Sequence, residues 1–144
     1  MAKTKRRGKL SRKWCGCEDL SGEYFAVTRC SARKRGLLFE ITIEQAWGLF
    51  QQQGGRCALT GRSLSLMESR RLLQKADGQT ASLDRIDSTK GYVPGNVWWV
   101  HKDVNMIKKE YPLDKFLQVC EEVARHRESA YGKSTSNSPL TTAV

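Results

Sequence analysis

The sequence predicts a small α+β fold: one strand–loop–strand–helix segment supported by amphipathic helices. Three observations predict it. In residues 81–108 a short apolar run ends at Asp84-Arg85, a loop carries Gly91, Pro94 and Gly95, and the chain resumes as Val97-Trp98-Trp99-Val100 before a polar stretch with helical spacing. Ile43, Ala46, Trp47 and Phe50 recur at i, i+3, i+4 and i+7, the signature of a helix with one apolar face. Leu113, Phe116, Leu117, Cys120, Val123 and Ala124 repeat in the same way near the end of the chain.

Composition narrows the function. The 144 residues fit one domain with tails, and 39% hydrophobic content supports a single modest core. Lys and Arg number 25 against 15 Asp and Glu, a net charge of +10. Clustered positive charge points to a polyanionic partner, with nucleic acid ahead of a membrane surface. No apolar run reaches the ~20 residues of a membrane span. The basic N-terminus lacks the apolar core of a secretory signal, so an intracellular protein is expected. Five cysteines, an odd number, argue against a disulfide framework. A structural zinc site is not expected either; Cys15, Cys17 and Cys57 come nearest to a ligand set. Cys57 and Cys120 read as small core residues.

In chain order, residues 1–13 form a basic arm without acids, expected to be disordered alone and to track phosphates through Lys5, Arg6 and Arg7. Residues 14–56 are a helical support region. Ser21 is placed to cap a helix over about 22–35, and Gly36 to stop it. Arg33, Lys34 and Arg35 at its end suit the helix dipole or a phosphate equally well. Leu37 to Ile41 read as extended. Thr42 and Gln45 form a capping box for a helix over 43–53, which Gly54-Gly55 ends. Residues 57–128 form the central module and its C-terminal helix. Within it, 56–61 make a brief strand or turn, and 62–79, with Arg70 and Arg71, form an excursion toward nucleic acid. Pro112 starts a helix to about 126 that packs on the core. Residues 129–144, rich in Ser and Thr, form a disordered tail.

The chemistry concentrates in 81–108. Asn105 lies four residues after His101, which on a continuous helix places both on one face with Lys108 at its border. Folding the hairpin over that helix would bring Asp84 and Asn105 to one hard cation. Carboxylate and amide oxygens are ligands that magnesium accepts, with water and substrate phosphate completing its shell. Such an ion polarises a phosphoryl oxygen and stabilises a leaving oxyanion. Taken singly, Asp84 reads as a turn residue, Asn105 as a surface residue and His101 as a cap; together, in a basic chain, they read as a site.

Asp84-Arg85, Asn96-Val97-x-Trp99-Val100 and Asn105-x-x-Lys108 resemble the motif of the HNH (ββα-metal) endonucleases. Cys57-Ala58-Leu59-Thr60-Gly61 is similar to the segment that often leads into it. Residues 32–42 resemble the upstream region of small HNH proteins of phages and mobile elements. The resemblance implies a ββα-metal module that hydrolyses phosphodiester bonds of double-stranded DNA with Mg2+ or Mn2+ in a bacterial, phage-infected cytoplasm. It implies Asp84 and Asn105 as metal ligands and Asn96 as a brace of the loop. Lys108 would hold the helix or approach phosphate.

The sequence departs from the family at Arg85, where a general-base His normally follows the aspartate. A guanidinium stays protonated and is no ordinary base. Arg85 would then clamp phosphate while His101, or more weakly Asp87, takes the proton. Otherwise solvent or metal-bound hydroxide suffices, or the site only binds. The competing expectation is therefore a non-catalytic nucleic-acid-binding protein with a degenerate site, acting in phage DNA packaging or regulation.

Overall fold

A computed structural model describes residues 16–66 and 78–131. The chain divides into two units, Met1–Lys109 and Glu110–Val144. The first contains α1 (Gly22–Lys34), α2 (Ile43–Gln52), β1 (Ala81–Arg85), β2 (Val97–His101) and α3 (Lys102–Lys108); the second contains α4 (Leu113–Tyr131). The architecture is α+β: in the first unit α1, α2 and α3 accompany one antiparallel pair of strands, and the second unit is helical over its described residues.

Local chemistry sets the helix ends. The Ser21 hydroxyl accepts the Tyr24 N–H, which satisfies one of the donors that α1 leaves open. Gly36 follows at φ +70, a left-handed turn that suits glycine. At α2 both halves of the capping box form. The Thr42 hydroxyl accepts from Gln45 N, and the Gln45 side chain accepts from Thr42 N.

The strand pair carries the core. Its register sets Ala81 opposite His101, Leu83 opposite Trp99 and Asp84 opposite Trp98. Directly opposed residues share a face, so Ala81, Leu83, Arg85, Val97, Trp99 and His101 form one side. Ser82, Asp84, Trp98 and Val100 form the other. Trp99 anchors the first side. It is fully buried, its indole N–H donates to Ala46 O at 2.8 Å, and its ring meets Phe50 edge-on and stacks on Tyr24. The Gln53 side chain exchanges two hydrogen bonds with the Trp99 backbone, at 2.8 and 2.9 Å, tying the end of α2 to β2. Trp47 is half-buried and stacks on Phe50, as its helical spacing predicts.

Residues 37–41 run extended and touch the loop between the strands. Tyr92 N–H donates to Leu38 O at 2.9 Å, and Glu40 N–H to Tyr92 O at 2.9 Å. The approach is close because residue 91 has no side chain: a Cβ there would lie 2.5 Å from Leu38 O. Cys57 is buried, as expected.

Three expectations change. Helix α4 extends to Tyr131, beyond the predicted end near 126. Cys120 is exposed rather than a core residue, and Leu117 and Val123 are exposed with it. Within its unit α4 is the one described element, so its apolar stripe has no described neighbour there to cover it. The division between units falls after Lys109, inside the segment 57–128 that the sequence reads as one module. The basic arm, Arg70-Arg71 and most of the tail lie outside the described residues.

Gly91→Ala should destabilise the protein by about 1–3 kcal/mol, because backbone rather than a flexible side chain meets the added methyl. A lowered urea midpoint at unchanged slope checks this.

Candidate active site

Asp84 lies near the end of β1 and is 5% exposed. Burying a carboxylate requires partners. Trp98, directly across the strand pair, donates its indole N–H to Oδ2 at 3.0 Å. From α3, the ammonium of Lys108 lies 3.1 Å from Oδ2 and 3.4 Å from Oδ1, and donates to the Arg85 carbonyl at 3.0 Å. Lys108 is fully buried, and these acceptors match the three protons of an ammonium group. It is therefore an internal partner of Asp84. Of the two roles expected for Lys108, these contacts are those of a residue that holds the helix, and a side chain with no exposed surface presents nothing to phosphate, as the nucleic-acid expectation would require.

Asn105 joins the same face one turn earlier on α3. Its amide nitrogen donates to the Ser82 hydroxyl at 2.7 Å, and Ser82 is two residues before Asp84 on the same side of β1. Thus α3 lies along Ser82 and Asp84, with Asn105 on the first and Lys108 on the second. The Ser82 hydroxyl also interacts with the hydroxyl of Tyr24 on α1, which accepts the Leu83 N–H at 3.0 Å. Burial raises the Tyr24 phenol, which keeps it neutral beside the strand. Sequence reasoning missed Ser82, Trp98 and Tyr24. The first two could have been found: Ser82 by the two-residue period of a strand, and Trp98 by hairpin register.

The loop after β1 is fastened from both ends. Asn96 accepts the Asp87 N–H at 2.9 Å and donates to Asp87 O at 3.1 Å and Gly91 O at 2.9 Å. One buried side chain thus closes the loop. Arg85 acts from the other end. Its guanidinium donates to Ser88 O and, at 3.0 Å, to Lys90 O, and lies 5.8 Å from the centre of the Tyr92 ring. With 4% exposure, Arg85 holds loop carbonyls where a phosphate clamp was expected. Asp87 accepts from the Thr89 hydroxyl at 2.6 Å and the Thr89 N–H at 2.9 Å. These bonds, with Lys90, hold its carboxyl below the usual range, which makes it a weaker base.

His101 is not on the helical face of Asn105. It ends β2 in extended conformation and caps α3, its Nδ1 accepting from Asp103 N at 3.3 Å and lying 3.4 Å from the Asp103 carboxylate. The register pairs it with Ala81, on the opposite side of the strands from Asp84. The expectation of a shared face assumed that the helix began at 101, whereas it begins at Lys102. Arg33 and Lys34 are exposed at the end of α1, while Arg35 donates to Tyr92 OH at 3.3 Å and to Ser31 O at 3.4 Å. Lys5, Arg6, Arg7, Arg70, Arg71 and Cys15 lie outside the described residues.

The site is thus a face of β1 covered by α3, offering one carboxylate and one amide. Asp84 and Asn105 carry oxygen donors of the kind that Mg2+ and Mn2+ accept, and the carboxylate is paired with the Lys108 ammonium. The donor types fit a divalent ion, and the paired lysine occupies its place. Among the described residues no group of three or more His, Cys, Asp and Glu side chains is arranged to hold a metal, so such an ion would take few protein ligands.

No family model matches the chain. A 91-residue stretch is 26% identical to an uncharacterized 29.0 kDa protein from the dda–modA intergenic region of Enterobacteria phage T4; it covers 63% of this chain and 33% of that protein. The chain thus spans about a third of that relative's length. Among solved structures, the rare-cutting HNH restriction endonuclease PacI is similar with a TM-score of 0.48 at 17% identity, over 87% of this chain and 92% of that chain. No helix among the described residues is long and apolar enough to cross a membrane.

Replacing Asp84 alone by Ala would leave the Lys108 ammonium buried without its counter-charge, a loss of about 3–5 kcal/mol. The pair Asp84→Asn, Lys108→Met removes both charges and should recover most of that loss. Urea unfolding of the three proteins checks this; equal losses in the single and paired variants would mean that the two charges do not depend on each other.

Proposed function

We propose that this protein is a metal-dependent nuclease of the HNH (ββα-metal) class that hydrolyses phosphodiester bonds in double-stranded DNA. The observation that carries the reading is that α3 lies along one face of β1, with Asn105 bonded to Ser82 and Lys108 to Asp84, in a strand–loop–strand–helix unit whose loop Asn96 closes. Asp84 and Asn105 would hold Mg2+ or Mn2+. When bound, the ion supplies positive charge to the phosphoryl and leaving oxygens. Asn96 and Arg85 act as positioning residues. They fix the loop that follows β1, and so the strand that presents Asp84. Ser82 orients the Asn105 amide, leaving its oxygen for the ion. The net charge of +10, with Arg33 and Lys34 exposed, supports backbone binding through phosphate contacts.

Proton transfer from the attacking water is assigned to neither Arg85 nor His101. Arg85 cannot accept a proton at ordinary pH, and His101 stands across the sheet from Asp84. With Arg85 and His101 set aside and Asp87 a weaker base, a second reading is a nucleic-acid-binding protein without catalysis. Incubation with supercoiled plasmid separates the two. The nuclease reading predicts nicked or linear DNA with Mg2+ or Mn2+, none with a chelator, and a loss of about 100-fold or more in Asn105→Ala, which retains the fold because only one partly exposed hydrogen bond is removed. DNA binding without cleavage under any divalent metal would end the nuclease reading and leave the binding one.

A further inference from the structure

The cation that the free site holds is its own lysine. Lys108 engages both carboxylate oxygens of Asp84 and the Arg85 carbonyl, and the Asp84 side chain is 7% exposed. Trp98 occupies Oδ2 as well. A carboxylate offset by an ammonium at 3.1 Å presents little net charge to a second cation, and a divalent ion approaching it would also meet the repulsion of that ammonium. Mg2+ and Mn2+ take hard oxygen ligands, and magnesium in particular loses its water reluctantly. Asn105, a neutral ligand, adds no charge to change this balance.

We propose that Lys108 is the resident cation of Asp84 and excludes divalent metal from this position in the free protein, so that an ion enters only where the ammonium leaves the carboxylate. Lys108 is thus a positioning residue. It pairs with the buried carboxylate and sets the condition under which metal is admitted. This inference rests on the reading of Asp84 as the ligand of the ion.

Trp98 provides a local reporter, because its indole N–H donates directly to the Asp84 carboxylate. The experiment is a titration of the full-length protein with Mn2+ alone, followed by paramagnetic broadening of the tryptophan indole N–H signals in 15N NMR spectra. The Trp99 indole, bonded to Ala46 O on the other side of the strands, is the internal control. In the wild type the Trp98 signal should persist into millimolar Mn2+. In Lys108→Met it should broaden selectively at an Mn2+ concentration at least about tenfold lower. Lys108→Gln, which keeps a hydrogen-bond donor without the charge, should behave as Lys108→Met and serves if that variant does not fold. Selective broadening of Trp98 in the wild type at the concentration that affects the variants would overturn the proposal. So would a signal that stays sharp in a folded variant. The outcomes also separate this inference from the nuclease reading. A wild type that cuts DNA while its variants take up no more Mn2+ than it does defeats only the lysine proposal. Variants that gain Mn2+ at Trp98 from a wild type that never cuts defeat only the nuclease reading.

Discussion

The ion pair between Asp84 and Lys108 joins the two elements that make the site. Neither charge is tolerable alone at that depth. A carboxylate or an ammonium removed from water costs several kcal/mol unless it is paired and its remaining hydrogen bonds are met. Here the geometry meets them, with Trp98 and the Arg85 carbonyl completing the set. The pair therefore fixes where α3 lies on β1, and with it the place of Asn105 beside Ser82. Replacing such a pair with apolar residues is often neutral for stability, so stability alone does not account for its presence.

The loop between the strands supports this arrangement from the other side. Asn96 and Arg85 donate to carbonyls of this turn, and Gly91 lets residues 37–41 approach it. At the position where the resemblance to the HNH motif would put a general-base His, Arg85 instead holds the carbonyls of Ser88 and Lys90.

How much of this was legible depended on how local the cause was. The Ser21 cap, the Thr42–Gln45 box and the Gly36 stop each depend on a few adjacent residues, and each is present. The two strands followed from the apolar runs and the Gly-Pro-Gly loop between them, although β2 continues to His101, which the sequence places in the helix. The closing of the loop by Asn96 was expected from the motif resemblance. Other features depend on tertiary placement. The face of His101 is decided by its register with Ala81, which moves it across the sheet although its spacing from Asn105 suits a helix. For Lys108 the resemblance left two roles open, holding the helix or approaching phosphate, and only the docking of α3 on β1 buries it. Cys120 shows the same limit: helical periodicity identifies an apolar face and not what covers it.

The central claim is that Asp84 is a metal ligand whose lysine partner must give way. Its most direct test is a crystal structure of the protein with a DNA duplex and Mn2+, read by anomalous scattering. The account predicts a manganese peak within coordinating distance of an Asp84 carboxylate oxygen and the Asn105 amide oxygen, with the Lys108 ammonium withdrawn from the carboxylate. A peak elsewhere on the DNA-bound protein, with the Asp84–Lys108 pair intact, would contradict it.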